Sequence, residues 1–150
     1  MWAMQQPART TKRVPMDAKE LARLDPWSFR TLDGRVLGAD LLVIGTTGAF
    51  VVVFADRVVL SRGRLPGGSR VRRAARRFRA HLAQAGVHVE TRALVCPEGD
   101  AVFPPRTVRG VRVIPRVLLT AEITGLHRVL MPHQVNRAAD SVARELAKLS

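Results

Sequence analysis

Residues 41–55, LLVIGTTGAFVVVFA, form the most apolar window of the chain and constrain its fold more than any other segment. A helix needs ~20 apolar residues to cross a bilayer, and this window is both shorter and broken by Gly45-Thr46-Thr47-Gly48. Its two halves are rich in Val, Ile and Phe, which favour a pleated backbone, and they flank a tight turn. They are therefore expected to be two strands of a hairpin. Near-continuous apolar character marks strands buried on both faces, so other parts of the chain must cover the sheet above and below.

The remaining segments supply that cover. Trp27 to Leu32, WSFRTL, alternates apolar and polar residues, with Trp27, Phe29 and Thr31 on one face, and runs into the turn signal Asp33-Gly34. RVVLS (57–61) reads as a further strand, followed by a glycine-rich loop from Arg62 to Gly68, so the first half is expected to be an antiparallel sheet. Ahead of it, MDAKELARL suggests a short helix ended by Asp25-Pro26, and residues 1–15 read as a flexible basic arm.

In the second half the period changes. Val71, Ala75, Phe78, Leu82 and Ala85 fall on one helical stripe, with Ser69 as the expected N-cap and Gly86 as the stop. HVETRALVC and VRVI read as strands joined by a long proline-rich loop, PEGDAVFPPRTVRG. A last helix from about Pro132 carries Val135, Ala139, Val142, Leu146 and Leu149 on one face. This order implies an α/β (α+β) fold, with a single domain over residues 16–150.

Charge narrows the function. Twenty-five Lys and Arg oppose 12 Asp and Glu, giving +13, and such a field favours polyanionic partners. The densest basic cluster is Arg70, Arg72, Arg73, Arg76, Arg77 and Arg79, preceded by Arg62 and Arg64. On a helix, 72, 76 and 79 lie on one flank of the apolar stripe and 70, 73 and 77 on the other. One reading is a solvated surface whose Arg stems cover the core edge. The other is a set of phosphate contacts. Aromatic residues are only 5% and tyrosine is absent, so base stacking is disfavoured and any nucleic-acid binding should be to the backbone and non-specific.

Other chemistries find little support. His81, His88, His127 and His133 show no pair at metal-ligand spacing, and no phosphate-binding glycine loop or serine elbow occurs. The single cysteine, Cys96, ends an apolar run and is expected to be buried. With no internal disulfide and no apolar N-terminal segment of signal-peptide length, a cytoplasmic location is expected, without a membrane partner.

The run LDGRVLGADLLVIGTTGAFVVVF resembles the hairpin of the nuclease-related domain (NERD) family, a branch of the restriction-endonuclease-like PD-(D/E)xK fold. The helix at Ser69 to Gly86, the strand through Leu94 and VRGVRVI follow in the family's order, and the similarity spans roughly Asp25 to Leu149. The resemblance implies a mixed sheet flanked by helices. It also implies a metal-dependent site built from a first carboxylate, an acidic residue and a lysine. Asp40 fits the first carboxylate, but Val53 stands at the acidic position and Ala55 at the lysine position. Alternation along the strand puts Arg57 on their face and Asp56 on the other.

A hard ion such as Mg²⁺ is held by one or two carboxylates with waters and phosphate oxygens, so Asp40 alone leaves half the cage missing. Asp40 is expected instead to be a strand-entry carboxylate, hydrogen-bonded locally. The expected function is thus a catalytically degenerate NERD-like module, without a cofactor, that contacts nucleic-acid backbone through the Arg-rich helix. Two alternatives stand beside it: a structural or protein-protein interaction domain with incidental charge, and a weak Mg²⁺-dependent nuclease using Asp40. The sequence leaves the oligomeric state open.

Overall fold

The computed structural model describes residues 21, 23–55, 65, 67–99 and 102–150. The expected N-terminal arm, most of the first helix, the RVVLS strand, Arg62 and Arg64 lie outside the described residues. The fold is mixed α+β. Among the described residues one sheet has six strands: β1 (Phe29–Asp33), β2 (Leu41–Gly45), β3 (Gly48–Ala55), β4 (Thr91–Pro97), β5 (Arg106–Val108) and β6 (Val111–Val113). Their order across the sheet is β1-β2-β3-β4-β6-β5. Helix α1 (Gly68–Gln84) follows β3, α2 (Leu119–Thr124) follows a 3-10 turn at Arg116–Leu118, and α3 (Pro132–Leu149) closes the chain.

The apolar hairpin is the centre of this sheet. Gly45 pairs with Gly48 around the two-residue turn Thr46-Thr47, and the antiparallel register runs to Leu41 opposite Val52. Only a glycine fits at 45, because a Cβ there would stand 2.1 Å from the ring of its cross-strand partner Phe29. Alternation along β3 sends Ala49, Val51 and Val53 into the core under α1 and α3. Phe50, Val52 and Phe54 enter a second core with Leu94, Cys96, Leu119 and Ile123. Two apolar layers, one on each face, account for the unbroken run in the sequence. A parallel crossover through α1 brings β4 beside β3, and β6 adds in parallel to β4.

Helix α1 buries Val71, Ala74, Ala75, Phe78 and Leu82, the expected stripe widened by Ala74 and without Ala85, which is the half-buried C-cap. Its end follows the sequence reading. Gly86 is left-handed, its N–H donates to Ala83 O, and Val87 N–H reaches back to Leu82 O, which closes the last turn. Its start differs. The cap is left-handed Gly67, with no side-chain cap, and Ser69 lies inside the helix; glycine reaches this backbone conformation without the Cβ clash Ser would meet.

Three further expectations need correction, and one element was not foreseen. Trp27 precedes β1 and is 76% exposed, because Asp25 Oδ1 accepts the Trp27 N–H and Oδ2 the Ser28 hydroxyl, turning the chain before the strand begins. The proline-rich connection ends in β5, which pairs with β6 around Arg109-Gly110, both at positive φ as a two-residue hairpin turn requires. Helix α2 and the preceding 3-10 turn have no counterpart in the sequence reading, since six residues are too few to display a helical period. Leu149, placed on the buried stripe of α3, is exposed, and the buried face is Val135, Ala138, Ala139, Val142 and Leu146. None of the described helices is long and apolar enough to cross a membrane.

Candidate functional site

Two neighbourhoods carry the residues singled out in the sequence. The first is the open end of the β2–β3 hairpin. Asp40 precedes Leu41, its N–H donates to Val52 O at 3.0 Å, and its Oδ2 accepts the Phe54 N–H at 2.7 Å. The carboxylate thus serves β3 as an acceptor where β2 turns away. Arg70 of α1 approaches the same oxygen at 3.9 Å. Val53 lies in the core beneath α1, where a Cβ at Gly67 would be 3.5 Å from its Cγ1, and Ala55 is partly buried beyond it. The fold therefore gathers Asp40, Val53 and Ala55 at one end of the hairpin.

The donor set does not suit a divalent cation. Among the described residues one carboxylate is present there, its Oδ2 is bound by a backbone N–H, and the guanidiniums of Arg70 and Arg35 lie near it. A cation entering there would meet like charge and find neither of the apolar neighbours able to ligate. Among the described residues no group of three or more His, Cys, Asp or Glu is placed to hold a metal ion. Asp56 and Arg57 lie outside the described residues.

Next to this end, Asp33 and Arg35 form a bidentate pair at the turn after β1, with Nε at 3.0 Å from both carboxylate oxygens. The Arg35 hydrogen bond holds the Asp33 carboxyl below its ordinary range, against a smaller opposing effect of burial.

The second neighbourhood is the outer face of α1. Its two flanks diverge as the helical spacing requires. Arg70 and Arg77 lean toward the segment after β1, where Arg77 Nη1 donates to Val36 O at 3.5 Å. Arg72 and Arg76 border a cleft of about 390 Å³ between α1 and the amino ends of β4 and β6. Arg92 and Arg112 complete its basic wall. Arg92 pairs with Glu90 at 3.2 Å, and Arg112 with Glu122 of α2 at 3.0 Å. Arg72 Nη1 donates to Arg109 O at 3.4 Å. Arg73, Arg76 and Arg79 are exposed, and no hydrogen bond or ion pair engages them among the described residues.

Arg92 and Arg112 were not legible as site residues. Each is a lone cation inside an apolar strand, on the face of Leu94 and the second core, and they border the cleft only where β4 and β6 begin. The histidines stay scattered: His88 and His127 border a separate cavity of about 400 Å³ near Thr47, while His81 lies on α1. Cys96 is buried. No protein-family model matches the chain, and neither does any curated protein or solved structure.

Proposed function

We propose that this chain is a cytoplasmic, restriction-endonuclease-like module of the nuclease-related type that holds nucleic-acid backbone without cutting it. The observation that carries the reading is the outer face of α1, where Arg73, Arg76 and Arg79 are exposed and unengaged and Arg70, Arg72 and Arg77 flank them. The absence of any acidic residue in α1 leaves that face uncompensated along its own length. The Asp-led hairpin, the crossover helix and the order of β4 and β6 support the nuclease-related assignment. Val53 and Ala55 beside an Asp40 engaged by Phe54 N–H support the loss of hydrolysis, since neither can ligate a metal or orient a water.

The test is fluorescence anisotropy with a labelled DNA duplex over a salt series, run beside a cleavage assay in Mg²⁺ and Mn²⁺. Each phosphate contact releases counterions and contributes about −0.9 to the slope of log K against log salt. The double variant R73Q/R79Q is expected to reduce that slope by about two. Cleavage should not exceed that of Asp40→Ala. Duplex affinity that ignores salt would remove the basis of the proposal, and cleavage lost specifically in Asp40→Ala would make the protein an enzyme.

A further inference from the structure

The cleft between α1 and the amino ends of β4 and β6 differs from the open helix face, and we infer that it is a binding site for a phosphomonoester dianion. It shares Arg72 and Arg76 with the helix face but does not depend on polymer binding. Its lining includes four arginines, Arg72 and Arg76 from α1 and Arg92 and Arg112 from the strand ends, and two carboxylates, Glu90 and Glu122. The carboxylates are committed to Arg92 and Arg112, at 3.2 and 3.0 Å. Two positive charges therefore remain, on Arg72 and Arg76, one turn apart on one flank of α1. A phosphomonoester near neutral pH carries close to two negative charges and three acceptor oxygens, a match in both charge and number for paired arginines. A backbone phosphodiester, with one charge, matches it less well.

The wall of the cleft holds a second feature. Thr91 Oγ1 is buried and lacks a hydrogen-bond partner among the described residues. A buried hydroxyl without a partner is destabilising, and a ligand oxygen in the cleft would satisfy it. Thr91 faces the same side of β4 as Ala93, toward α1, and both residues line the cleft beside Arg72 and Arg76. The volume of about 390 Å³ exceeds one phosphate and accommodates a nucleotide-sized group. Two sources of such a phosphomonoester are a free nucleoside monophosphate and the terminal phosphate of a strand.

Isothermal titration calorimetry with adenosine 5′-monophosphate and with adenosine, and anisotropy with a 5′-phosphorylated and a 5′-hydroxyl oligonucleotide, separate these sources. Binding of the monophosphate but not adenosine identifies the free nucleotide, and preference only for the phosphorylated strand identifies a strand end. In the arm that binds, Arg76→Gln is expected to weaken affinity about tenfold, the loss of one charge-assisted contact. Lys148→Gln, the same charge change at a distant site, should leave it intact. Thr91→Val should weaken binding while raising Tm by about 2–4 °C, because it removes an unsatisfied buried hydroxyl. Absence of discrimination by the phosphate in both arms overturns the inference, as does unchanged affinity in Thr91→Val. Intact salt-dependent duplex binding alongside that failure would leave the previous proposal standing; phosphomonoester binding without duplex binding would sink the previous proposal alone.

Discussion

Asp40 fastens the end of β3 through a hydrogen bond from Phe54 N–H, and that role can be measured apart from any chemistry. Asp40→Ala leaves a part-buried N–H without its acceptor, at a cost of about 1–3 kcal/mol in chemical denaturation. Asp40→Asn retains an oxygen in place and should recover most of that loss. If the carboxylate were a vestige with no structural part, both variants would unfold at the wild-type midpoint. Asp33 makes a different prediction. Arg35 lowers its folded pKa, so the pair contributes stability that is fully present above the unfolded carboxylate value near 3.9 and is lost as pH falls through the lower folded value. Both side chains are largely exposed, so the readout is the carboxyl resonance in an NMR titration. Its midpoint should lie below the ordinary range and rise in Arg35→Gln.

At the scale of the element, α1 combines a structural face with a basic one, and the two should separate by mutation. Phe78 is fully buried in the core under the sheet, and Phe78→Ala should cost about 3–5 kcal/mol by leaving a cavity. R73Q/R79Q touches only exposed, unengaged side chains and should keep the wild-type denaturation midpoint while losing duplex affinity. A matching loss of stability in the double variant would mean that the Arg stems cover core and that the face is structural. The body and stop of this helix were legible in the sequence because a 3.6-residue period over several turns and a terminal Gly86 are local signals. The start was not, since Gly67 takes the cap in a left-handed conformation that Ser69 could not adopt without strain. Strand β5 and helix α2 escaped because each is too short to show a period, and each is held by a partner, β6 for one and the second core for the other.

Across the whole molecule, the sequence by itself determined the apolar hairpin, the class of mixed sheet and helices, and a net charge of +13 with its densest basic cluster on one helix. The two positions that the resemblance pairs with Asp40, Val53 and Ala55, can neither ligate nor titrate. These follow from side-chain chemistry and short periods, which need no knowledge of distant contacts. Tertiary structure alone decided what Asp40 touches, because the Phe54 N–H and Arg70 reach it from β3 and α1. It alone assembled the cleft. Arg72, Arg92, Arg112 and Glu122 sit on four separate elements, and only the parallel register of β4 and β6 and the packing of α1 and α2 on the two faces of the sheet bring them to the rim of one cleft, with Arg112 paired to Glu122. A sum of charges is readable along a chain; which charges are neighbours, and so what they can hold, depends on long-range pairing that no local pattern encodes.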